Sequence, residues 1–127
     1  MRDCDYEAFV SSRCKPGCEI ILGPNDKHVL HMLLGLTGEV GELVDVFKRC
    51  LIYDQELDID HALEELGDLE FYLAGLRNGL LMCGGQAREQ ILEQNVAKLS
   101  TRYPDGYSNK AAADRADKVL DTAPENV

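Results

Sequence analysis

No stretch of this chain approaches the roughly 18 consecutive apolar residues that a membrane-spanning helix needs. Its Met1-Arg2-Asp3-Cys4 start lacks the apolar segment of a secretory signal. A soluble, cytoplasmic protein without a membrane partner is therefore expected. Basic residues are also scarce, since 13 Lys and Arg stand against 23 Asp and Glu, for a formal net charge of -10. Nucleic-acid affinity comes largely from neutralising phosphates with Lys and Arg, so no nucleic-acid partner is expected. A small phosphorylated ligand is compatible with this charge if a metal carries the countercharge. Disulfide chemistry is not indicated either: the 5 cysteines are odd in number, and Cys50 and Cys83 fall inside helical patterns among apolar neighbours. Cys14-Lys-Pro-Gly-Cys18 followed by His28-x-x-His31 resembles a zinc ligand set only superficially, because the Cys spacing is loose and both histidines fall at a helix start. Reduced thiols, and histidines used in packing or on the surface, are the expectation.

No run of residues has strand character, and what is present is helical. The 127 residues suffice for one domain with a real core. Tyr6, Phe9 and Val10 suggest a short helix between Asp3 and Arg13, ended by Lys15-Pro16-Gly17. Pro24-Asn25-Asp26 offers the start of a second, with Asn25 or Asp26 as N-cap, running to about Leu51. Val29, Leu33, Leu36, Val40, Leu43 and Phe47 recur along it at steps of three and four, the stripe of an amphipathic helix. Asp58 or Asp60 caps a third predicted helix from Ile59 to Met82, striped by Ala62, Leu66, Leu69, Leu73, Leu76 and Leu80 and stopped at Cys83-Gly84-Gly85. A fourth is expected from Gln86 to Arg102, with Ile91, Leu92, Val96 and Leu99 inward. The fold class is all-α.

Two carboxylate pairs carry the chemistry, Glu39-x-x-Glu42 and Glu65-x-x-Asp68. Residues three apart on a helix are surface neighbours, so each pair aims two acids at one place. By helical stepping each pair flanks its apolar stripe; packed antiparallel through the stripes, the two helices would bring both acidic flanks to one cleft. Oxygen ligands of this kind suit Mg²⁺, with Mn²⁺ as a substitute. The competing reading, solvated faces of charged helices, is the ordinary fate of such spacings. A di-iron bundle would require Glu-x-x-His on each of two helices, and no such pair occurs. Gly35, Gly38, Gly41 and Gly67 interrupt the helices at a cost of roughly 1 kcal/mol each. Their missing side chains would let a neighbouring helix or a ligand approach the backbone beside the acids.

These segments, with their order, resemble a known family. His31-Met-Leu-Leu-Gly-Leu-Thr-Gly-Glu-Val-Gly-Glu-Leu-Val-Asp45, Glu64-Glu-Leu-Gly-Asp-Leu-Glu-Phe-Tyr-Leu73 and Asn95-Val-Ala-Lys-Leu-Ser-Thr-Arg-Tyr-Pro-Asp-Gly-Tyr107 are similar to the MazG-like all-α nucleoside triphosphate pyrophosphohydrolases. The resemblance covers about Asp26 to Ser108, so a domain over residues 1–108 is expected, with its core at 26–108 and an N-terminal extension at 1–25 outside the match; the Ala- and Asp-rich segment at 109–127 reads as a C-terminal tail with one weak helix. The resemblance implies hydrolysis of (deoxy)nucleoside triphosphates between the α- and β-phosphates, as nucleotide-pool house-cleaning. Glu39, Glu42, Glu65 and Asp68 would be the catalytic carboxylates and Mg²⁺ ligands. Tyr72, one turn beyond Asp68, would lie near the nucleotide or else serve as a half-buried core residue. Asn95, Lys98 and Arg102 share a helix face suited to sugar and phosphates, and Lys48 could reach phosphate. With no Trp in the chain, base selection would fall to Tyr, Phe or polar contacts. A homodimer or homotetramer is implied, because so few helices leave apolar faces that one short chain does not cover. The alternatives are phosphoribosyl-ATP hydrolysis and a non-catalytic helical interaction module.

Overall fold

The computed structural model describes residues 3–119, all-helical with no strand among them. In chain order the helices are α1 (Asp3–Ser11), α2 (Pro24–Tyr53), α3 (Ile59–Leu81), α4 (Arg88–Arg102), α5 (Asn109–Asp114) and α6 (Ala116–Val119). A single 3₁₀ turn, Gly17–Glu19, lies between α1 and α2. The C-terminal segment thus carries two short helices where the sequence suggested one; the rest of the expected tail, from residue 120, lies outside the described residues. No helix among them is long and apolar enough to cross a membrane.

Local chemistry sets the helix ends. The N-cap of α2 is Gly23, not Asn25 or Asp26, because Pro24 takes the first helical position and the Asp26 carboxylate accepts the Gly23 amide at 2.8 Å. Asp54 closes the same helix in the left-handed conformation, φ 52°. Asp58 caps α3, its side chain accepting the His61 amide at 3.0 Å. Gly84 at φ 79° then turns the chain, and the Gly85 amide donates back to the Leu80 carbonyl at 2.8 Å.

By its contacts the chain divides into two compact units, Met1–Gly79 and Leu80–Val127. In the first, α2 and α3 run antiparallel in close approach. The Asn25 amide donates to the Gly79 carbonyl at 3.1 Å and His28 Nε2–H to the Gly75 carbonyl at 2.9 Å. Further along, Met32 lies against Gly75 and the Tyr72 ring over Gly35. Added Cβ atoms at Gly35, Gly75 and Gly79 would come within 2.0, 2.2 and 2.7 Å of the facing side chains, so these three glycines set the helix separation. Gly38, Gly41 and Gly67 meet nothing within 4 Å.

This packing corrects the expected one. The helices meet through Met32, Gly35, Tyr72, Gly75 and Gly79, a face about one residue, or roughly 100°, away from the leucine stripes. Among the described residues Met32, Val46 and Ala62 are the buried hydrophobic ones, and of these Ala62 belongs to the expected stripe. Leu33, Val40, Phe47, Leu66 and Leu80, assigned to the core by periodicity, are exposed. Ile91, Leu92, Val96 and Leu99 of α4 are exposed as well. Close helix approach needs small residues at the contact, and the glycines lie beside the stripes rather than within them.

In the second unit, Ser108 caps α5 by accepting the Ala111 amide at 3.0 Å. Asp117 of α6 is buried and grips Arg102 of α4 with two hydrogen bonds, from Nε at 2.7 Å and Nη2 at 2.8 Å.

Candidate metal centre

Because the helices pack on the glycine face, Glu39 of one pair and both acids of the other are brought together. Carboxylate oxygens of Glu39, Glu65 and Asp68 lie within 4.8 Å of one another. Among the described residues this is the sole grouping of three or more potential metal ligands. Glu65 is only 6% exposed, Glu39 is half-buried and Asp68 is open to solvent, so the group forms a cleft with one wet side. Glu42, one turn beyond Glu39, is exposed and outside the tight group.

The electrostatics follow from the crowding. The Glu39 carboxyl is held above the ordinary glutamate range first by burial, then by sharing a hydrogen bond with Glu65, and then by the charges of Asp68, Glu65 and Glu42. Glu65 is fixed from its own helix, where His61 Nε2 and Glu65 Oε1 lie 2.8 Å apart. Its other oxygen, Oε2, is buried and has no hydrogen-bond donor on the chain while Glu39 is ionised. A buried carboxylate oxygen without a donor is costly unless a proton or cation meets it. An all-oxygen donor set with such an atom fits a hard divalent cation.

The remaining candidates are placed differently. The Tyr72 ring packs on Gly35, with His31 edge-on at 6.4 Å and Phe71 at 5.2 Å, so it is built into the contact between α2 and α3. Lys48 lies nine residues beyond Glu39 on α2, roughly 13 Å along the helix axis. Its ammonium rests 5.8 Å from the centre of the Tyr53 ring. It also edges an open apolar groove of about 380 Å³ formed by Leu43, Val44, Phe47, Leu51 and Ile52. In the second unit, Asn95 and Lys98 line an open depression of about 350 Å³ with Ile91 and Gln94. Arg102 does not join them there, because Asp117 engages its guanidinium. Cys14 and Cys18 are exposed thiols in no disulfide, and the grouping of potential ligands includes neither them nor a histidine.

The sequence pattern of paired acids does not single out His61. Its four-residue spacing to Glu65 is the signal that marks it, since such residues stack on one helix face.

Against known families, residues 27–107 match the MazG nucleotide pyrophosphohydrolase domain. No curated protein and no solved structure matches the chain.

Proposed function

The chain belongs to the MazG nucleotide pyrophosphohydrolase family, and on that premise we propose that it hydrolyses nucleoside or deoxynucleoside triphosphates to the monophosphate and pyrophosphate in a Mg²⁺-dependent reaction. The observation that carries this reading is the convergence of Glu39, Glu65 and Asp68, from two helices, within 4.8 Å. These three residues would hold the cation, for which Mn²⁺ is a chemical substitute. The chemistry the ion supplies is neutralisation of the polyphosphate and acidification of the attacking water. Glu42, exposed and outside the tight group, is the carboxylate left to orient that water and accept its proton. Asn95 and Lys98 offer an amide and a cation in an open depression, a combination suited to sugar hydroxyls and phosphate oxygens. Removal of surplus or non-standard nucleotides is the role such a reaction serves.

The same reading includes self-association into a homodimer or larger homo-oligomer. Its support is the exposed stripe on α2 and α3, the apolar groove near Lys48, and the open faces of Gly38, Gly41 and Gly67 beside the acids. A second copy of the chain presents matching apolar faces and would cover them. The direct test is a panel of triphosphates incubated with pure protein and Mg²⁺, with products identified. Formation of monophosphate and pyrophosphate is expected; the absence of both from every substrate would overturn the proposal.

A further inference from the structure

The acid group has a structural support that the paired-acid motif does not contain. His61 lies in the first turn of α3, where its amide is tied to the Asp58 side chain at 3.0 Å. One turn on, its ring meets Glu65 Oε1 at 2.8 Å. The ring is partly open to solvent, with 32% of the side chain exposed, whereas the Glu65 side chain is 8% exposed. The contact therefore runs from a residue anchored at the helix start to a carboxylate inside the cleft. It occupies one oxygen of that carboxylate and leaves Oε2 buried without a partner.

We propose that His61 is the positioning residue of this centre: its Nε2–H holds Glu65 Oε1, fixing the carboxylate so that Oε2 is reserved for a divalent cation shared with Glu39 and Asp68. This rests on the metal reading given above. The physical reason is geometric. A glutamate has three rotatable side-chain bonds, and an unfixed one beside two other carboxylates would turn away from them. Burial alone does not select which oxygen faces the cleft, whereas a directional donor on the same helix does. The backbone tie from His61 to Asp58 keeps the donor itself in register, so the orientation is set before any ion arrives.

The test uses the full chain and Mn²⁺ alone, without nucleotide, with affinity read by calorimetry and by the loss of the free-ion resonance signal. His61→Leu keeps comparable bulk without a donor, and His61→Gln keeps a donor able to reach one helical turn. Mn²⁺ binding about tenfold weaker in H61L, with most of the loss recovered in H61Q, is expected. Helix content should be the same in both variants. If H61L does not fold, His61→Asn, polar but too short to reach Glu65, takes its place and should show the same weakening. Wild-type affinity in H61L, equal weakening in H61Q and H61L, or no Mn²⁺ binding by the wild-type chain would each overturn the inference. Triphosphate hydrolysis is scored separately. Mn²⁺ binding that depends on His61, with no cleavage of any triphosphate, removes the proposed function and leaves the positioning role standing. Cleavage with an affinity indifferent to residue 61 does the reverse.

Discussion

Gly35 lies directly under the Tyr72 ring, with room for a hydrogen and none for a methyl: a Cβ there would stand 2.0 Å from Cε1. The ring is bounded by the edges of His31 and Phe71. Gly35→Ala should therefore force α2 and α3 apart and destabilise the fold by about 1–3 kcal/mol, more than its gain in helix propensity returns. Gly75→Ala meets the Met32 thioether instead. A flexible methionine can shift, so G75A should cost under about 1 kcal/mol. Urea unfolding of the two variants checks the order, and equal losses would show that the ring contact is not what limits helix approach.

The raised Glu39 carboxyl makes stability depend on pH in a defined direction. The folded chain holds this proton more tightly than the unfolded one, whose glutamate titrates near 4.5. Stability from this group is therefore greatest below that value and is lost as pH rises through the raised one. Metal-free protein should melt at a lower temperature as pH climbs above 4.5, with Mg²⁺ or Mn²⁺ reversing the loss, and Glu39→Gln should flatten the dependence. Scanning calorimetry from acid to neutral pH, with and without ion, measures it.

Glu42 and Glu65 should separate on substitution. Glu65→Gln removes a buried member of the tight group, so Mn²⁺ affinity and hydrolysis should both fall by at least about tenfold. Glu42→Gln leaves the tight group whole, so Mn²⁺ binding should stay near wild type while turnover falls by about 10²–10⁴-fold. Loss of Mn²⁺ binding in E42Q would instead make Glu42 a ligand.

The asymmetry between these two acids shows where sequence reasoning succeeds and where it stops. Helix type and extent were legible because α2 and α3 carry unbroken three- and four-residue periodicity, and the acids at 39, 65 and 68 were legible because their spacing is helical. The rotational setting was not. Leu33, Val40 and Leu66 have the hydrophobicity of core residues, yet Gly35, Gly75 and Gly79 permit a closer approach than leucines allow and so win the contact between α2 and α3. Hydrophobic periodicity reports which face is apolar, and in this chain that is not the face through which α2 and α3 meet. His61 was hidden for another reason: its one signal is the four-residue step to Glu65, which lies outside the paired-acid spacing.

Arg102 illustrates the same limit from the C-terminal side. Its position on α4 suggests a phosphate contact, but Asp117, twelve residues past the Asp105 turn, reaches back to it with paired hydrogen bonds. The guanidinium holds the Asp117 carboxyl down at about 2, below its ordinary 3.8. A lowered acid contributes stability that is present above 3.8 and lost as pH falls through about 2, the opposite sign to Glu39. Asp117→Asn should therefore release α6 from α4, seen as faster amide exchange in residues 109–119, without loss of α2 or α3 protection. Unchanged exchange would mean that the pair does not anchor the segment.

The displaced apolar stripe makes the strongest demand on solution behaviour. Val44 is 59% exposed and Leu51 is 73% exposed, both in the groove near Lys48, on a helix that α3 engages through a different face. Burying a side chain of this kind is worth about 1.5–3 kcal/mol, and several lie in a row, so a second copy closing over them would gain more than a surface ion pair supplies. Val44→Asp places a charge in that contact while leaving the Asn25, His28 and Tyr72 contacts between α2 and α3 untouched. Wild-type protein should scatter light as a dimer or larger at micromolar concentration, and V44D should shift toward the monomer with its helix content kept. A monomeric wild type would remove the interface from the proposal, and a V44D variant that remains fully assembled would move the contact to α3, where Leu63, Leu66 and Phe71 are also exposed.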